Sequence, residues 1–178
     1  AGIVLSLGAG GGTVIGLVAG YYGGNVDEFL MRFVDLTFAV PFILVALVVV
    51  IVMGQSLSVI ILLLIAFSWG QFARQVRGEA LVIRERDYVL QARISGASGP
   101  YVLYRHILPG VINTVLVIAS LRVGSLILAE AILSYLGVGV PPPTPAWGAM
   151  VSEGREYISW AWWSTFFPGV ALFLTVLG

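Results

Sequence analysis

This sequence predicts an all-α bundle of membrane-spanning helices, about five spans at ~20 apolar residues each. Hydrophobic residues make up 59% of its 178 positions, charged residues only 10%, and the mean hydropathy is +1.01. An ordinary soluble domain is ~45–50% apolar and ~25% charged. A water-soluble core could not hide this much apolar surface, so lipid must be the solvent for much of it. The charges are also gathered: six of the nine arginines fall between Gln71 and His106.

The first apolar run, 3–20, contains Gly8, Gly12, Gly16 and Gly20, with Gly24 one step further. Four-residue spacing puts them on one helical stripe, which lets a second backbone approach closely in lipid. A flexible glycine-rich loop is the alternative, but the interleaved Val, Ile and Leu favour a packed span. Residues 21–35, with Asp27, Glu28, Arg32 and Asp35 among Phe29, Leu30 and Phe33, read as an amphipathic connection at a membrane surface. The second span is expected over 36–53, with Pro41 in its first turn or at a kink. A turn at Gly54-Gln55-Ser56 leads to a third span over 57–73.

Residues 74–109 form the expected cytoplasmic loop. Between Gln71 and His106 six arginines face three acids, and the positive-inside rule assigns such a stretch to the cytoplasm. The fourth span, 111–136, carries Arg122 and Glu130. Residues 137–163 are turn-rich, with Pro141-Pro142-Pro143 and Pro145, and should lie on the opposite, external side. A fifth span is expected over 164–178, with Trp160, Trp162 and Trp163 anchoring it at the interface rather than stacking on a ligand. Both ends of the sequence fall inside hydrophobic runs, which is expected of a piece of a longer protein, and no signal peptide is apparent.

Several functions are disfavoured. Zero net charge argues against a nucleic-acid binder. There is no lysine, so a phosphate-cradling Gly-Lys-Ser/Thr loop cannot be built. The Gly8–Gly12 cluster lies in an apolar run without an acidic ribose partner. With no cysteine and only His106, no zinc-type ligand cluster can be assembled, and no cofactor or metal is expected on this chain. His106 reads as a polar residue at the end of the loop. A non-catalytic role follows.

The most informative segment is ERDYVLQARISGASGPYVLYRH, 85–106. Tyr88, Val89 and Ala92 share a helical side, and Gly96-Ala97-Ser98-Gly99-Pro100 ends that helix. A second short helix from Val102 should stop at Leu108-Pro109. Two short helices around a glycine turn make a compact knob suited to docking in a partner's groove; a solvated connection on the lipid headgroups is the alternative. A Cβ at position 96 would clash or block a left-handed turn, so the sharp end of this helix is expected to depend on Gly96.

This segment resembles the EAA loop of ABC-importer permeases, whose pattern sets a glycine four positions after the last alanine and Leu-Pro 12–13 positions later. Gly96, Leu108 and Pro109 fit; the triplet itself reads Leu90-Gln91-Ala92, so only Ala92 matches. The stretches GYYGGNVDEFLMRFVD, RGEALVIRERDYV, EGREYISWAWWSTFFPG and the run from Leu128 through Trp147 are similar to the dipeptide, oligopeptide and nickel importer permeases, in particular the second, C-type, permease of the pair. The resemblance implies a type I permease fold in a bacterial or archaeal cell membrane, with one more N-terminal span and a short tail. It implies a second homologous permease, two cytoplasmic ATPase subunits that bind ATP and Mg, and an external solute-binding protein. It assigns ATPase coupling to Asp87, Tyr88, Ala92, Arg93, Gly96 and Ala97, and implies that Gly96→Asp would leave the protein inserted but uncouple ATP hydrolysis from uptake. Di- or oligopeptide is the expected cargo and nickel the alternative within the family; a passive channel, an ion-coupled carrier and a structural anchor are the competing classes.

Two further sets of residues are candidates. Arg122 and Glu130, eight apart on one helix face, either line the translocation path or pair with a neighbouring subunit or backbone carbonyls, because neither should face lipid. The Pro-rich segment, with Pro143 and Trp147, leads stiffly into a short helix over 149–157. It serves either as a docking surface for the solute-binding protein or as a rigid connector.

Overall fold

The computed structural model describes residues 1–177; Gly178, the end of the fifth expected span, lies outside them. The regular structure of the described residues is all helical, with no strand among them. In order come α1 (Gly2–Tyr22), α2 (Gly24–Ala39), α3 (Phe42–Met53), α4 (Leu57–Arg84), α5 (Asp87–Ile94), α6 (Gly99–Val102), a π-helical turn (Leu103–Ile107), α7 (Leu108–Tyr135), α8 (Trp147–Gly154) with a 3₁₀ turn (Arg155–Tyr157), and α9 (Trp163–Leu177). Three continuous helices are long and apolar enough to cross a membrane: Gly2–Tyr22, Leu57–Arg84 and Gly99–Tyr135. The bent pair α2–α3 makes a fourth, and α9 is a shorter apolar helix.

Three elements differ from the sequence expectation. Residues 36–53 are not one helix. Pro41 caps α3 with φ −60° and ψ 123°, and the chain bends between α2 and α3. The residue before a proline resists the α region, so α2 ends there. Helix α4 does not stop at 73 but runs 28 residues, to Arg84. It has no proline, and Gln, Ala and Arg are good helix formers, so nothing halts it; Arg74, Arg77 and Arg84 lie on a helix rather than in a loop. The second knob helix does not stop at Leu108-Pro109 either. The π-helical turn carries it into α7, with the Leu108 N–H donating to the Leu103 carbonyl. A proline in a regular helix collides with the carbonyl four residues earlier; the widened turn just before Pro109 gives the ring room.

The chain divides into two compact units. The first comprises residues 5–39 and 65–120 and contains most of α1, α2, the lower part of α4, the knob and the start of α7. Within it α1 and α4 run parallel at a constant register. A Cβ at Gly12 would meet Phe72 Cβ at 2.6 Å, at Gly16 the Ala73 carbonyl at 2.6 Å, and at Gly20 Ala80 Cβ at 2.7 Å. The expected stripe is therefore the contact that lets two backbones touch. Gly24 is the exception: it meets nothing, and with Gly23 it forms the positive-φ break between α1 and α2.

The second unit comprises residues 1–4, 40–64 and, among the described residues, 121–177. Here α8 packs against α9, and Gly148 lies against the backbone of Ala131 in α7. The short helix expected over 149–157 begins two residues earlier, at Trp147, and tightens into the 3₁₀ turn at Arg155.

Candidate functional site

The knob is built on a buried apolar cluster. Leu17 of α1, Val76, Ala80 and Ile83 of α4, Val89 of α5, Val102 of α6, Ile107 of the π-helical turn and Val111 of α7 are its members. Tyr21, Ala92, Ala97 and Leu103 pack against it. Six of these residues, Val76, Ala80, Val89, Val102, Ile107 and Val111, are fully buried. The knob is thus fixed to three longer helices by side-chain packing that tolerates little independent movement.

Gly96 closes α5. Its φ is +85°, which only glycine adopts without strain. The Ala97 N–H donates to the Ala92 carbonyl at 3.0 Å and the Gly96 N–H to the Arg93 carbonyl at 3.0 Å. Those two bonds define a Schellman cap. Four of the six residues that the family resemblance selects are therefore the members of one turn: Ala92 and Arg93 accept, Gly96 and Ala97 donate. The conformational reason expected for Gly96 is present and the steric one is not, since a Cβ there would meet nothing within 4 Å. Asp87 occupies the first turn of α5, where a carboxylate suits the helix dipole. The Arg93 guanidinium lies over the Tyr21 ring at 5.7 Å. Tyr88 and Tyr101 flank the His106 ring at 6.2 and 5.8 Å.

The outer face of the knob exposes apolar side chains among charged ones. Ile94 is 87% exposed and Tyr104 75% exposed, and Leu90 and Tyr101 are exposed as well. Leu90 and Ile94 are four apart and share a helix face.

Arg122 and Glu130 are both half-buried and are not brought together. Glu130 Oε1 accepts a hydrogen bond from Ser134 Oγ at 2.6 Å, and Ser134 is itself buried and accepts from the Val140 N–H at 3.3 Å. Arg122 has no ion-pair partner among the described residues. At the Pro-rich segment, Gln55 Nε2 donates to the carbonyls of Gly137 and Gly139 at 3.3 and 2.9 Å. Pro143 helps to line an open hollow of about 550 Å³ that also includes Gln55, Ser134, Ser152 and Glu153. Trp147 lines a separate one of about 340 Å³ against α9.

Sequence reasoning missed Tyr21, Gln55 and Ser134. The Glu130–Ser134 pair was legible as an i, i+4 spacing; the long-range roles of Tyr21 and Gln55 leave no such signal.

The fold is that of a helical membrane protein, and comparison with known proteins gives its class. Residues 12–178 match the family described as binding-protein-dependent transport system inner membrane component, and the chain belongs to that family. It is a multi-pass protein of the inner membrane. It is 45% identical over 166 residues to the glutathione transport system permease protein GsiD of Pectobacterium atrosepticum, covering 93% of this chain and 55% of that one. It is 45% identical over 171 residues to the GsiD protein of Escherichia coli O6:K15:H31, and 46% to that of Shigella dysenteriae serotype 1, covering 96% of this chain and 56% of each. The chain thus spans about half the length of the curated relatives it matches.

Proposed function

We propose that this chain forms part of the translocation path of an ATP-driven importer for small peptides, and that its knob receives the push of a cytoplasmic ATPase. One observation carries the reading most directly. The knob's Schellman-capped helix exposes Leu90 and Ile94 outward while its inner side is packed into a cluster shared with α1, α4 and α7. A displaced knob would take those helices with it as a rigid body.

The work is divided among subunits. ATP and Mg are bound by two ATPase partners, and this chain is non-catalytic. A second, homologous permease completes the path; the apolar stretch of Gly99–Tyr135 is only 6% buried within the chain, against 39% for α1 and for α4, which leaves a helix face for it. An external solute-binding protein delivers cargo to the segment that contains Pro143 and Trp147. Arg122 and Glu130 line the path, where they meet the charged ends of a peptide. Peptide is favoured over nickel because relatives at 45% identity are named for glutathione, a tripeptide-sized solute.

The test is uptake by the complete transporter in sealed vesicles. Accumulation of a radiolabelled small peptide that requires both ATP and the binding protein is the expected result. Downhill flux without ATP would overturn the reading in favour of a channel or carrier.

A further inference from the structure

Three arginines on the knob-proximal part of α4 reach three different partners. Arg77 makes a two-pronged ion pair with Asp27 of α2, Nε to Oδ1 at 2.5 Å and Nη2 to Oδ2 at 2.6 Å. Arg74 reaches Asp35, further along α2, at 2.5 Å and lies over the Phe38 ring at 4.7 Å. Arg84 donates to the Gly20 carbonyl near the end of α1 at 2.9 Å.

The first of these contacts differs from the others in its surroundings. The far half of α2 packs on α4 through apolar groups: Val34 and Phe38 lie against Gly70, and the Phe33 ring stacks on Trp69 at 5.6 Å. The near half, up to Arg32, has no fully buried residue: Val26 and Phe29 are exposed, and Leu30 and Met31 are half-buried. The ion pair that ties that half to α4 is Asp27–Arg77, with side-chain exposures of only 14% and 35%. Arg77 also stands between Val76 and Ala80 of the knob's cluster, and its backbone lies against Gly20 of α1. A forked guanidinium–carboxylate pair fixes orientation as well as distance.

We infer that the Asp27–Arg77 pair is the positioning link through which displacement of the knob reaches α2, and that coupled uptake depends on it while insertion and assembly do not. Cutting it leaves α2 held by its apolar contacts alone, so the helix stays in place but follows the knob less closely. The inference rests on the proposed function, because it needs an ATPase to drive the knob.

The experiment uses the complete transporter in vesicles and measures substrate transported per ATP hydrolysed. Asp27→Asn and Arg77→Gln are each expected to assemble normally, to keep ATP hydrolysis within about twofold, and to lower the transport ratio about fivefold or more, the scale of ordinary coupling energies. The exchange Asp27→Arg with Arg77→Asp is expected to recover most of the ratio. An unchanged ratio in the single variants would overturn the inference. So would loss of assembly, or of hydrolysis and uptake in parallel, because the pair would then be merely structural. Failure of the exchange to recover function where both singles lose it would also count against a paired role. ATP-dependent uptake by the unaltered transporter, measured alongside, shows whether the underlying functional reading stands.

Discussion

Gly96 shows how one residue can be required for its conformation and not for its size. Its φ of +85° costs an ordinary L-residue ~1–2 kcal/mol, yet the space around it is open. Asparagine and aspartate visit this conformation more readily than β-branched residues. Gly96→Asn should therefore retain most uptake and Gly96→Val should lose it, as measured in vesicles at equal inserted protein. Gly96→Asp has the same shape as Gly96→Asn and adds a negative charge on the exposed side of the knob. It should insert normally and transport less than Gly96→Asn, and the difference between the two isolates the electrostatic part of docking. Equal loss in Asn and Val variants would remove the conformational argument.

At the scale of elements, the α1–α4 contact is set by backbone proximity. Gly12, Gly16 and Gly20 each oppose backbone or Cβ atoms of α4 at distances no side chain could share, whereas Gly11 opposes nothing. Gly16→Val should cost about 1–3 kcal/mol through overpacking, read as a lower melting temperature of the purified protein in detergent. Gly11→Ala should leave it unchanged. Equal effects at both positions would show that the stripe is not the contact.

This stripe was legible because its four-residue spacing is a one-dimensional pattern, as was the knob's glycine turn. The breaks were harder to read. Pro41 ends a helix, while Pro109 is passed over by a π-helical turn and Pro168 lies inside α9; sequence marks a proline but not the local geometry that accommodates it. The length of α4 was missed because Arg74 and Arg77 look like loop charges until Asp35 and Asp27 are brought beside them. Those partners are 39 and 50 residues away, and periodicity carries no information at that separation.

At the scale of the whole molecule, the proposed role needs a motor outside this chain. It has no lysine for a phosphate-binding loop. What it offers is a short capped helix that exposes Leu90 and Ile94 on its outer side and packs its inner side against α1, α4 and α7. The central claim is that this face meets an ATPase. The direct measurement is photo-cross-linking from position 94, whose isoleucine is 87% exposed, in the assembled transporter while it hydrolyses ATP. A cross-link from 94 to the ATPase subunit, with none from position 162 in the segment assigned to the opposite side, is the predicted result. Labelling of position 94 by a membrane-impermeant reagent from the side opposite the ATPase, with no cross-link to it, would contradict the account.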